Sequence, residues 1–235
     1  MIVAIHQPES FPWLGFFHKM HHADVLVLLD TVQFEKNNVQ NRNKILIGGQ
    51  PQWITLPVSK SSVSSKVNDI FIDWNSVVVK KHLDTFKHNY SKHPYFPEVF
   101  PFLQKVYEKK PDKLSDFNTE VILFLKNKLG IKTKIIKASE LSLSGESKGG
   151  TEVTLEICKL LDARSYLSGV GAKTYLDVSK FEKEGIKVVF QDFTHPVYEQ
   201  RGSSNFIKSL SALDLYLNHG PNSLEIIIKN SKQYL

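Results

Sequence analysis

Cysteine is almost missing from this chain. Cys158 is the single thiol, so no disulfide can form within the chain, and one free thiol fits a reducing compartment. Its place on the apolar side of a helical pattern marks it as a small core residue. No apolar run reaches the roughly 18 residues of a membrane span, so no transmembrane helix is expected. The start lacks the basic and apolar regions of a secretory signal, because Met1 leads at once into a strand pattern. These features predict a cytoplasmic protein. The familiar nucleotide signatures are missing too: there is no P-loop, no GxGxxG and no HxGH pair. No cofactor is therefore expected. Internal repeats, strong low-complexity segments and long blocks of like charge are also lacking.

What is there reads as an ordinary globular chain. Hydrophobic residues make up 41% and charged residues 23% of 235, enough to bury a sizeable core. The formal net charge is +6 and the pI near 9.2. Lysines carry most of the excess and are dispersed, which favours a solvated basic surface over a nucleic-acid groove.

The order of patterns points to an α/β, Rossmann-like three-layer domain with a mostly parallel sheet. A first apolar strand runs from Ile2 to Ile5 and a second from Val25 to Leu29, with a helix over 16–24 between them. Strand patterns over 51–58 and 69–73 suggest a hairpin-like extension, with Ser59–Lys66 as a turn between them. The stretch from Phe34 to Lys44 is polar and reads as a functional loop. A segment rich in aromatics, His and Lys, cut by Pro94, Pro97 and Pro101, predicts several helices. Leu114, Phe117, Val121, Leu125 and Leu129 then recur at helical spacing, up to Gly130. About 75–130 is thus a helical insert in one domain spanning 1–235. Strands at 132–138, 165–167 and 186–190 alternate with helices at 151–161 and 174–184, and a last helix covers 209–218.

In open sheets of this kind, ligands bind beyond the carboxyl ends of the strands. That rule selects the candidate residues. His6 ends the first strand and can act as a base near neutral pH. Asp30 ends the second and can orient it. Gln7 and Trp13 belong to the loop after His6. Asn41, Arg42 and Lys44 offer amide, guanidinium and ammonium donors suited to an anion. Gly169 and Gly171, with Lys173, form a strand-to-helix turn in which backbone N–H groups can meet a phosphate. His195, Tyr198 and Gln200 follow the last strand and can close the same cleft; His195 is the reserve base. The histidines of HxxHH (His18, His21, His22) have two-ligand spacing for zinc but no third ligand, so a solvated helix end is favoured and no metal is expected.

The runs IHQPESFPWLGFFHK, VLVLLD, VQF and QNRNKI, followed by SGVGAKTYLD, HPVYEQ and LSALDLYLNHG, resemble the WbqC-like protein family in order along nearly the whole chain. The resemblance implies bacterial O-antigen and surface-polysaccharide biosynthesis. It carries no catalytic residue set. Combined with the residue chemistry, the expectation is a transferase that moves an acyl or aminoacyl group to a nucleotide-linked sugar. The alternative is a non-catalytic module that holds a sugar nucleotide or a partner enzyme. The expected partner is a nucleotide-sugar or similar phosphorylated small molecule. Nucleic acid is disfavoured, and self-association into a homo-oligomer is left open.

Overall fold

The computed structural model describes residues 1–59, 65–144, 149–229 and 234. In chain order the elements are β1 (Ile2–His6), α1 (Leu14–His21), β2 (Val25–Leu28), β3 (Arg42–Ile47), β4 (Gln50–Thr55), α2 (Val77–Lys80), α3 (His82–Tyr90), α4 (Phe96–Lys109), α5 (Leu114–Lys128), β5 (Lys134–Lys137), α6 (Gly150–Leu160), β6 (Ser165–Ser168), α7 (Val178–Lys183), β7 (Lys187–Phe190), α8 (Ala212–His219) and α9 (Ser223–Ile228). Among the described residues, no helix is long and apolar enough to cross a membrane.

The main sheet has the order β5-β2-β1-β6-β7, and every pairing in it is parallel. β1 is central because both its faces are apolar, as a strand covered on two sides must be. Ala4 joins one core with Leu26, Leu28 and Leu167 against α1, α5 and α8. Val3 and Ile5 point the other way, with Val25, Val27 and Tyr166, against Ile157 and Cys158 of α6 and Phe181 of α7. The result is the α/β Rossmann-like class read from the sequence, with helices on both faces. Cys158 is fully buried in the second core, and burial pushes its thiol up to about 12.

The chain builds outward from β1 to β2 and β5, then returns to place β6 on the other side of β1. The crevice between the carboxyl ends of β1 and β6 is therefore the switch point of the sheet.

Several local expectations are corrected. The hairpin is formed by β3 and β4, paired antiparallel from Arg42↔Thr55 to Ile47↔Gln50. Gly48 and Gly49 close it with φ of +58° and +76°, the two positive angles that a type I′ turn demands and glycine supplies cheaply. The loop read as reaching Lys44 thus ends at Asn41. The 69–73 segment is no strand: a short 3₁₀ turn at Val67–Asp69 leads to isolated bridges at Phe71 and Ile72. The turn read at Ser59–Lys66 has its centre, 60–64, outside the described residues. The helix read over 174–184 starts only at Val178, after a 3₁₀ turn at Val170–Thr174. Pro101 lies inside α4 without ending it. The α5 pattern holds: Leu114, Phe117, Val121 and Leu125 are fully buried.

Candidate functional site

The switch point opens into a cleft of about 580 Å³. His6 and Gln7 enter it from the end of β1, and Ser168 to Ala172 from the end of β6. α1 contributes Lys19, and its lead-in contributes Trp13. Gln191 and Phe193, which follow β7, form the far wall. The Trp13 ring lies across the start of α1, where a Cβ on Gly15 would meet it at 2.4 Å. Only glycine permits that approach, and the T-shaped contact of Trp13 with Phe193 at 5.4 Å fixes the ring further.

His6 is held by a carboxylate. Its Nε2 lies 3.1 Å from Oε1 of Glu9, whose side chain is 3% exposed. A carboxylate only accepts, so the proton of the neutral ring sits on Nε2 and Nδ1 keeps its lone pair. That Nδ1 is buried and has no hydrogen-bond partner among the described residues, and neither has Oε2 of Glu9. Burial lowers the His6 pKa, the Lys19 charge lowers it further, and Glu9 opposes both. Burial and the Lys19 charge therefore favour the neutral ring.

Lys19 is the other buried charge-bearing group. It is 3% exposed, and its Nζ donates to the Ile5 carbonyl at 3.3 Å. Burial lowers its pKa to about 8, with Glu9 pulling the other way. Gly169 faces it so closely that an added Cβ would stand 3.7 Å from Nζ, whereas one on Gly171 would meet nothing. The two glycines leave the mouth open.

Of the residues singled out in the sequence, His6, Gln7, Trp13, Gly169 and Gly171 come together in this cleft. Gln7 is part of its wall, accepting from Nε2 of Gln40 at 2.6 Å. Buried Asn118 of α5 secures that wall, donating to the Pro8 and Gln40 carbonyls at 3.1 and 2.8 Å. The others stand outside the lining. The buried carboxylate of Asp30 accepts from N and Oγ of Ser139 at 2.9 and 2.7 Å, so Glu9 orients His6 instead. Asn41 bridges Leu56 and Asn37. The Arg42 guanidinium lies 4.2 Å from the ring centre of Trp53 and Lys44 Nζ 5.1 Å from it, on the outer face of the hairpin. Lys173 extends over Phe190 at 5.2 Å. His195 uses both ring nitrogens, on the Pro196 carbonyl and the Ser209 amide. Tyr198 donates to Asp214 at 2.9 Å, and Gln200 pairs with the backbone of Ile207.

The HxxHH helix end is only partly solvated: His21 and His22 are half-buried and His18 is buried. His18 is 1% exposed, with Nδ1 3.0 Å from Nε2 of Gln191. Burial, aided by His22 and His21, lowers its pKa to about 4. Among the described residues, no cluster of three or more His, Cys, Asp or Glu is arranged to hold a metal.

Sequence reasoning passed over Glu9, Lys19 and Gln191. Each left a signal. Glu9 follows His6 by three residues in HQPE. Lys19 sits in a helix buried from Leu14 to Met20, where a lysine has no water to reach. Gln191 is the first residue beyond β7, at the same sheet edge that selected His6.

Two comparisons return matches. The model of the WbqC-like protein family covers residues 7–226. An uncharacterized protein of Mycobacterium tuberculosis (strain ATCC 25618 / H37Rv), Rv1507c, is 31% identical over 221 residues, which is 93% of this chain and 94% of the relative. No solved structure matches the chain.

Proposed function

The chain belongs to the WbqC-like protein family, and from that premise we propose that it is a group-transfer enzyme of bacterial surface-polysaccharide (O-antigen) biosynthesis. Its cleft would hold a nucleotide-linked sugar, and an acyl or aminoacyl group would pass to an amine or hydroxyl of that sugar. One observation carries the reading: a histidine at the switch point, oriented by a buried carboxylate and with its second ring nitrogen unpartnered among the described residues, lines a cleft large enough for a ligand.

In this mechanism His6 Nδ1 takes the proton from the attacking amine or hydroxyl as that atom bonds to the acyl carbon, and returns it to the donor's leaving group as the bond between the acyl carbon and that group breaks. Glu9 holds the ring through Nε2 and steadies the imidazolium that results, as the carboxylate does in a nucleophile–His–carboxylate array. The Gly169–Gly171 turn admits the diphosphate to backbone N–H groups, with Lys173 beside it. Trp13 and Phe193 offer aromatic surface to the base or sugar.

Calorimetry with a panel of nucleoside-diphosphate sugars tests the ligand class, and turnover with candidate acyl donors tests the reaction. His6→Gln should keep its melting temperature and ligand affinity within a few-fold, while turnover falls roughly 10²–10⁴-fold. A stable His6→Gln protein with full turnover removes His6 as the base. A protein that binds no member of the panel removes the ligand class.

A further inference from the structure

Lys19 takes no part in the transfer just described, yet it is placed as a reactive group. It projects into the cleft from a helix buried throughout its middle. Among the described residues no carboxylate pairs with it, and the Ile5 carbonyl is its one hydrogen-bond partner. A buried ammonium without an ion pair is costly, so such a lysine tends to shed its proton. Its surroundings leave room for a reactant: Gly169 opposite carries no side chain, and the His6 imidazole is close enough to feel the Lys19 charge.

We propose that Lys19 is a nucleophilic amine that captures a carbonyl compound, an aldehyde or ketone, as an imine within the cleft. The amine lone pair attacks the carbonyl carbon. A C–N bond forms while the C=O π pair moves to oxygen, which takes up a proton. His6 Nδ1 relays both protons that the nitrogen loses, the first to that oxygen to give the carbinolamine hydroxyl and the second to the hydroxyl itself. That hydroxyl leaves as water as the C=N bond closes, so one amine and one carbonyl give one imine and one water, with no change of oxidation state. A depressed lysine pKa, near 8 here, supplies the free amine at physiological pH. The inference shares His6 as proton carrier with the transfer reading but concerns a different nucleophile and a different electrophile, and trapping reads Lys19 alone.

The test is reductive trapping with cyanoborohydride, using pyruvate and pyridoxal 5′-phosphate as separate probes, followed by peptide mass mapping. At pH 7 the fraction modified at Lys19 should exceed that at exposed Lys36 or Lys92 by at least about 10-fold. Trapping at Lys19 should rise steeply around pH 8, below the range in which the exposed lysines respond. Lys19→Arg and Lys19→Met should both lose the adduct; the first keeps the charge and the second the buried volume, so one folded variant suffices. An unmodified Lys19 beside labelled surface lysines overturns the proposal, as does equal total labelling in a folded variant. Either result leaves the nucleotide-sugar titrations and the His6→Gln comparison standing or falling on their own.

Discussion

Two buried polar clusters can be set side by side in this molecule. In the first, Asp214, Tyr90 and Tyr198 link α8, α3 and the segment after β7. Tyr90 accepts from the Leu46 amide at 2.7 Å and donates to Asp214 at 3.1 Å, and Tyr198 fills the second carboxylate oxygen. In the second, at the carboxyl end of β1, Glu9 and Lys19 are buried and the His6 side chain is 25% exposed, but among the described residues His6 Nδ1 and Glu9 Oε2 lack partners. An unmade hydrogen bond is costly in a core. The closed cluster ties elements together. His6 and Lys19 of the open one line a cleft, where a ligand can meet them. Burial and polarity are shared; closure of the network is what separates a brace from a site.

Exchanging the damage between the two clusters should produce the largest effects. Asp214→Ala removes the acceptor of two tyrosine O–H donors, at roughly 1–3 kcal/mol each. Its denaturation midpoint should fall sharply, while the cleft of the folded fraction keeps its chemistry. Glu9→Gln should leave stability within about 1 kcal/mol and cut turnover roughly 10²–10⁴-fold, since an amide can hold His6 in the other tautomer. Urea melts run beside turnover decide this. A stable Asp214→Ala, or an unstable Glu9→Gln with normal turnover, would reverse the two assignments.

Acid provides a middle-sized test. Burial lowers His18 and His82 to about 4, so each adds stability above its unfolded pKa near 6.5 that is lost as pH falls toward 4. Asp214 works in the opposite sense. Burial raises it to about 6, against hydrogen bonds from Tyr198 and Tyr90. Its contribution is therefore full below its unfolded pKa and is lost as pH rises through about 6. With more than one histidine against a single aspartate, the melting temperature should drop between pH 6.5 and 4. Asp214→Asn, which removes the opposing group, should make that drop steeper. A flatter profile in Asp214→Asn would mean that the carboxyl is ionised in the fold throughout this range.

The smallest effect belongs to the hairpin. Arg42→Ala removes a cation stacked on half-exposed Trp53, worth about 0.5–1 kcal/mol at such a site. Affinity for a ligand in the cleft should change less than about threefold by calorimetry, while Trp53 fluorescence shifts. A tenfold loss of affinity would bring the β3–β4 face into the binding site.

Much of the fold was legible because one-dimensional pattern and burial coincide. Apolar runs such as Ile2–Ile5 and Val25–Leu29 can only be satisfied inside a sheet covered on both faces, and the α5 spacing of three and four left one way to bury Phe117 and Val121. The hairpin was harder. RNKILI alternates weakly, and Arg42 and Lys44 suggested an anion site when their surfaces are used on Trp53. His6 was legible through its position at a strand end. Its true carboxylate was not, because Asp30 and Glu9 look equally available along the chain and only the packing spends Asp30 on Ser139.

By itself, then, the sequence determined the sheet-forming segments, the buried helix faces, the place of His6 at a strand's carboxyl end and the absence of a disulfide within the chain. These follow from local chemistry and hydrophobic period. Tertiary structure alone decided the strand order that puts β1 beside β6, and so the location of the cleft. It decided which polar groups found partners: His195 and Tyr198 are engaged away from the cleft, while His6 and Lys19 stay open within it. The reason is physical. Hydrogen-bond satisfaction and desolvation depend on neighbours distant in sequence, such as Gln40 for Gln7 or Asp214 for Tyr90, and no local pattern records them.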